Sequence, residues 1–305
     1  MQDGSRKAII AAFCANLGIA VSKFVGFILT GSAGLLAEAG HSVADTGNQA
    51  LLMFGSKRGS RPADRAHPFG YGPERYFWSF VVALVLFSMG GLFALYEGIQ
   101  KLGNPHEIEG ATIAYGILGV SVLLETFSLR TAVKEANHVR NGRSWWNFIR
   151  TAKSPELPVV LLEDVGAELG LLFALSGLTL AEITGNARWD AVGSIAIGVL
   201  LIVVAMILGV EMKGLLIGES ASDDDLDKIN AAFAGSDKVN GVIHLRTMHL
   251  GPDELLVAAK LDFDPTLTVS ELAKAIDDAE ANLRRQVPIA ATVYIEPDIR
   301  RSDDE

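Results

Sequence analysis

Apolar residues are gathered into six long runs, at 8–29, 33–55, 77–101, 111–133, 157–181 and 189–211. Each matches the about 20 helical residues that cross the roughly 30 Å hydrocarbon core of a bilayer. Thr30-Gly31-Ser32 joins the first two runs and predicts a tight helical hairpin. The third run carries Met89-Gly90-Gly91, small residues that favour close helix packing in lipid. After Lys213 the pattern shortens. Asp223 to Ala234 reads as a helix, with aspartates at the N-terminal end suiting its dipole. Val239 to Leu250 and Leu255 to Phe263 read as strands around a Gly251-Pro252-Asp253 turn. Thr268 and Glu271 form a capping box opening a helix in which Leu272, Ala275, Ile276, Ala279 and Leu283 recur at helical spacing. Thr292 to Glu296 is a last short strand. The pattern predicts an all-α six-helix membrane bundle over 1–213. An αββαβ domain of α+β class follows over 214–305, with an exposed sheet edge or face for pairing with a second copy.

Charge supports that division. Of the net charge of −10, residues 219–305 hold the whole excess, with 19 acidic and 9 basic residues. The remainder is balanced. An acidic domain argues against nucleic acid as a partner and is compatible with attracting cations. Basic residues in the bundle concentrate in two connections. Lys57, Arg58, Arg61, Arg65 and Arg75 follow the second run; Arg140, Arg143, Arg150 and Lys153 follow the fourth. The positive-inside rule places these, the N-terminus and the C-terminal domain in the cytoplasm. Met1 to Lys7 is polar and lacks a cleavage pattern after it, so the first run is expected to be a retained helix. Trp145, Trp146 and Phe148 read as interfacial anchors. The single cysteine, Cys14, allows no intrachain disulfide.

Against this apolar background a few ionisable residues stand out. His41 and Asp45 in the second run are four apart, as are Asp164 and Glu168 in the fifth, so each pair projects from one helix face. Ionisable groups at membrane depth are costly and usually line a pathway or pair with one another. One imidazole and three carboxylates suit Zn²⁺ and tolerate Fe²⁺, Co²⁺ or Mn²⁺. Such ligands bind only when deprotonated, so metal entry displaces protons. Asn48 and Gln49, on the next turn, are candidates for hydrogen bonds that support the ligands, or simply for bonds to neighbouring helices. Glu38 and Glu163 beside the quartet read as access-route carboxylates or as helix-end groups near water. Glu125 lies deep in the fourth run, which suggests proton handling or pairing with Lys23 in the first. Asp190 reads as an N-terminal helix cap.

Three stretches carry a family resemblance: Ala37-Glu38-Ala39-Gly40-His41-Ser42-Val43-Ala44-Asp45-Thr46, His67-Pro68-Phe69-Gly70-Tyr71-Gly72 and Leu162-Glu163-Asp164. The chain resembles the cation diffusion facilitator family of divalent-metal/proton antiporters, and within it the zinc transporter 9-like branch. The resemblance implies six helices and a cytoplasmic domain of ferredoxin-like, metallochaperone-like form through which two copies pair. It implies transport ligands at His41, Asp45, Asp164 and Glu168, where the glutamate departs from the aspartate or histidine of many members. It also implies an accessory loop site, of which Asp64 and His67 match while Tyr71 stands in place of a histidine. At the positions of a binuclear site in the C-terminal domain of zinc-transporting relatives the chain has Lys260, Ala273 and Tyr294, and only Glu296 keeps a carboxylate. A dimer without a full metal cluster is therefore expected; His244 and His249 are weaker candidates.

The reading that joins these features is a homodimeric, proton-coupled efflux transporter in a bacterial cytoplasmic membrane, not an enzyme, with the divalent cation as substrate and no prosthetic group. A metal-sensing membrane scaffold is the alternative. An intramembrane metal-dependent hydrolase is a third reading, weakened by the lack of an HExxH pattern and of an open fourth position. Glu168→Asp is expected to shift metal preference by shortening one ligand arm. Identical competition profiles for Zn²⁺, Fe²⁺, Co²⁺ and Mn²⁺ in the two proteins would show that arm length is irrelevant.

Overall fold

The computed structural model describes residues 3–30, 33–103, 111–140 and 142–300, and within the first two helices the side chains of 3–8, 26, 27, 29, 30, 33–41 and 44 lie outside that description. The chain divides into two compact units, 1–58 with 74–213 and 59–73 with 214–305. The segment between the second and third runs thus belongs with the C-terminal residues rather than with the helices that flank it.

The first unit is helical: α1 (Asp3–Thr30), α2 (Ala33–Gly59), α3 (Pro73–Val85), α4 (Phe93–Gly103), α5 (Ala111–Val139), α6 (Trp145–Thr151), α7 (Glu156–Thr184) and α8 (Arg188–Ile217). A π-helical segment, Leu86–Leu92, joins α3 to α4, so that Pro73–Gly103 is one continuous rod. Each of the six apolar runs falls on a long helix or on this rod. Among the described residues, Pro73–Gly103, Ala111–Val139 and Arg188–Ile217 are long and apolar enough by themselves to cross a membrane, and Ile9–Val25 is a shorter apolar stretch. Along α2 and α7 the apolar runs are interrupted by His41 and Asp45 and by Glu163, Asp164 and Glu168.

The rod packs on α8 through glycines. A methyl group on Gly198 would lie 2.6 Å from the Leu95 backbone nitrogen and 2.9 Å from the Gly91 carbonyl oxygen; one on Gly91 would lie 2.6 Å from Ile202 Cγ1. The backbones meet because nothing projects between them, the arrangement by which small residues drive helix association where lipid replaces water. The α7–α8 contact repeats the device, with Gly193 against the Phe173 carbonyl and Gly177 against the Trp189 carbonyl, each at 2.9 Å from an added Cβ. Gly185, at φ +63°, ends α7 in the left-handed conformation that glycine adopts without strain.

Two sequence expectations change here. Asp190 is not a cap: Asn186 Oδ1 accepts the Arg188 N–H, and Asp190 pairs with Lys101 at 3.3 Å. Phe148 is buried at 2% exposure, while Trp146 is exposed and Trp145 lies under the Arg140 guanidinium at 4.3 Å. The short α6 turns its phenylalanine inward and leaves the tryptophans outside.

The second unit contains α9 (Asp223–Ala234), β1 (Val239–Gly251), β2 (Glu254–Phe263), α10 (Val269–Gln286) and β3 (Thr292–Asp298). The order is αββαβ. The sheet runs β1-β2-β3, with β1 antiparallel and β3 parallel to β2. Leu255, Val257, Ala259, Leu261 and Phe263 alternate along β2 onto one face and are buried with Ile229 and Phe233 of α9 and Ala279 and Leu283 of α10. Thr268 and Glu271 close the capping box. Gly72 abuts the β1–β2 turn so closely that a Cβ there would overlap the Leu250 carbonyl and reach 2.8 Å from Gly251 Cα. Gly198→Ala should cost about 1–3 kcal/mol through overpacking and lower the melting temperature of the purified protein in detergent. Gly209→Ala, with nothing within 4 Å of its added methyl, is the control; equal melting temperatures for the two variants would contradict the backbone contact.

Candidate functional site

Four helices of the first unit bring polar side chains together. On α5, which packs against α1 and α7, the buried residues are Ser121, Glu125, Ser128, Ala132 and Ala136. They follow one another at spacings of four and three and form one helix face. The opposite face, with Leu123 and Phe127 more than half exposed, is apolar. An inward face led by two serines and a glutamate reverses the ordinary preference of a core and serves the carboxylates of α7. Ser128 Oγ donates to Asp164 Oδ2 at 2.9 Å, and Thr126 Oγ1 donates to Glu168 Oε1 at 3.1 Å.

Asp164 is 1% exposed, and its charged neighbours are Asp45 of α2 and Glu168. Glu125 is 5% exposed and lies within electrostatic reach of Asp164, Asp45, Lys23 and Glu168. The carboxylates that the sequence separates by more than a hundred residues are thus neighbours. Among the described residues no three His, Cys, Asp or Glu side chains are close enough to hold an ion together. His41 and Glu38 fall on α2, but their side chains lie outside the described residues.

Glu163 lies about two turns into α7 rather than at its end. It is buried, and its two oxygens accept from Asn48 Nδ2 at 3.0 Å and Gln49 Nε2 at 2.8 Å. Asn16 Nδ2 of α1 donates in turn to Gln49 Oε1 at 3.3 Å. Asn48 and Gln49 therefore bond to the residue beside Asp164, joining α1, α2 and α7 through one carboxylate. Lys23, also buried, donates to Ser42 Oγ at 3.0 Å, tying α1 to α2 one turn from Asp45. At the starts of α3 and α7, Arg75 and Glu156 form a buried ion pair. Sequence reading missed Asn16, Ser42, Thr126, Ser128 and this pair. Single hydroxyls and amides in apolar runs carry no periodic signal, and Arg75 was counted among the loop charges.

The accessory positions, all in the second unit, are occupied by protein-protein bonds. Asp64 Oδ1 accepts the backbone N–H groups of Ala66 and His67, and Oδ2 accepts the Tyr71 hydroxyl at 2.8 Å. The His67 N–H, first, and the Tyr71 hydroxyl hold the Asp64 carboxyl below the usual range. The His67 ring lies 4.2 Å from the Tyr71 ring. Asp64, His67 and Tyr71 thus close a turn through protein-protein bonds. On the sheet, Lys260 Nζ contacts Asp298 at 2.9 Å and Glu296 at 3.4 Å, so an ammonium already faces these carboxylates. His244 is exposed and accepts from Arg246, whereas His249 is buried beside the Gly251 carbonyl, so the two do not act together.

Comparison with known proteins agrees with this architecture. Residues 9–217 match the family model described as "Cation efflux transmembrane domain", and residues 221–298 match "Cation efflux protein, cytoplasmic domain". The chain is 34% identical over 290 residues to the "Proton-coupled zinc antiporter SLC30A9, mitochondrial" of Xenopus laevis, covering 94% of this chain and 52% of that protein. The Homo sapiens protein of the same name is 32% identical over 263 residues, with 86% and 46% covered. "Magnetosome protein MamB" of Magnetospira sp. (strain QH-2) is 28% identical over 294 residues, with 92% of both chains covered. The chain spans about half the length of the first two relatives. The two family models take in the helical bundle and the αββαβ domain alike, and the chain belongs to the cation efflux family, the cation diffusion facilitators that its motifs resemble.

Proposed function

We propose that this protein is a proton-coupled antiporter of divalent transition-metal cations. Zn²⁺ is the leading substrate, and Fe²⁺, Co²⁺ and Mn²⁺ are admissible to the same ligand types. The transport site is His41 and Asp45 of α2 with Asp164 and Glu168 of α7. The observation that carries this reading is the grouping of Asp45, Asp164 and Glu168 inside the helical unit, with hydroxyls of α5 turned onto both carboxylates of α7. A purely structural role for three carboxylates of like charge, Asp164 among them buried, has no evident benefit in an apolar bundle. A divalent cation offsets that charge, and so do protons. This equivalence is what an exchanger needs.

In the proposed cycle the cation enters from the cytoplasm, and protons leave the ligands as it binds. Rearrangement of the helices exposes the same site to the other side, where protons displace the metal. Two relatives are named as proton-coupled zinc antiporters, and both support this direction of reading. Two copies pair through the αββαβ domain, whose sheet buries one face against α9 and α10 and carries Arg246, Lys260 and Tyr294 on the other. The bacterial cytoplasmic membrane, with both termini inside, is the proposed location from the distribution of basic residues.

Asp45→Ala is expected to abolish zinc flux into proteoliposomes while the purified variant keeps the elution volume and melting behaviour of the wild type. Wild-type flux in that variant would remove Asp45, and with it the site, from the account.

A further inference from the structure

The reading above leaves Glu125 without a task. Glu125 is 5% exposed in a helix that crosses the membrane core, and it is no part of either ligand pair. Around it lie the charged groups of every helix near it: Lys23 from α1, Asp45 from α2, and Asp164 and Glu168 from α7. With Glu163, which lies near Asp45 and Asp164, the locus holds five carboxylates facing one lysine among the described residues. Ionised together they carry four negative charges net of Lys23, and a divalent cation offsets two. When that cation departs, the excess can be carried only by protons, because naked charge in an apolar bundle is costly.

The hydrogen bonds show how the five differ. Asp164 receives the Ser128 hydroxyl, Glu168 the Thr126 hydroxyl, and Glu163 two side-chain amides. Asp45 has a further bond or electrostatic partner of its own. Asp164, Glu168 and Glu163 are thus each engaged by a donor of the protein. Glu125 accepts no hydrogen bond among the described residues, although Ser121 and Ser128 share its face; Ser128 is turned to Asp164, and the Ser121 hydroxyl has no partner. It is held only by the field of Lys23 and is opposed by three carboxylates. A protonated Glu125, unlike an ionised one, could also donate.

We infer that Glu125 is a proton carrier of the exchange in addition to the metal ligands: it bears a proton while the site lacks metal and releases it when the cation arrives. On the releasing side a proton passes from water to a Glu125 carboxylate oxygen as the cation leaves. On the loading side the Glu125 hydroxyl returns it to water as the cation's two charges enter the field. No other group is consumed. Ser121, one turn away on the same face, extends the polar line along α5.

This inference rests on the antiport reading, and two fluxes measured on the same proteoliposomes separate their failures. The first is tracer exchange of zinc for zinc at equal pH on both sides, which needs the ligand site but no net proton movement. The second is accumulation of zinc driven by a pH gradient. If the wild type shows neither flux, the antiport reading itself fails. With both present in the wild type, Glu125→Gln is expected to exchange zinc at close to the wild-type rate. Its gradient-driven accumulation should fall by about tenfold or more, a typical size for lost coupling between two ligands. Glu125→Asp, which keeps the titrating group, should restore most of the accumulation. Undiminished accumulation in Glu125→Gln would overturn the proposal. So would parallel loss of both fluxes in a variant with wild-type melting behaviour, since Glu125 would then serve the metal and not the proton.

Discussion

A carboxylate inside an apolar bundle must be met by a cation, a donor or a proton, and much of the helical unit is arranged around that requirement. Asp45, Glu125, Glu163, Asp164 and Glu168 lie on three helices, each within electrostatic reach of at least two of the others. The bonds that answer them run from Ser128 and Thr126 on α5 and from Asn48 and Gln49 on α2, and Asn16 and Lys23 on α1 tie that helix to α2. Any change in the charge of the cluster therefore acts on the mutual positions of four helices. Arrival of a divalent cation, or of protons, is such a change.

Elsewhere in the unit helices also meet through glycines. The 73–103 rod and α8 touch backbone to backbone at Gly91, Gly98 and Gly198, and α8 meets α7 at Gly177 and Gly193. Helix α7 belongs to both arrangements: one of its faces carries the carboxylates and another the glycines. The π-helical segment lies at Gly91 itself, where an extra residue in one turn widens the helix.

Much of this was legible in the sequence, and the reasons differ between the two units. In the second unit the local signals agree with the fold: alternation along β2, the Thr268–Glu271 box and the Gly251-Pro252-Asp253 turn each specify their element without reference to the rest of the chain. In the first unit the ionisable pairs stood out because charge in an apolar run is rare. What answers them did not. Ser128, Thr126 and Asn16 are ordinary residues in membrane helices, and only the approach of segments 36, 42 and 33 residues apart gives them meaning. For Glu163 the sequence offers an access-route carboxylate or a helix-end group near water, and its amide partners are not legible there because they lie 115 and 114 residues away. Arg75 looked like one more positive charge in a loop, but it is buried against Glu156. At Asp64, a residue pattern that suggests a metal site also builds a turn closed by a tyrosine hydroxyl and two backbone amides, partners that no spacing in the sequence announces.

The central claim is that cations and protons compete for one cluster of buried charge. The most direct measurement is made on the wild-type protein in liposomes that enclose a pH-sensitive dye, with zinc added outside and no initial pH difference. The account predicts that zinc entry changes the enclosed pH in step with metal flux, toward acid loss from the lumen. Zinc entry with no change of lumenal pH beyond that of protein-free liposomes would contradict it.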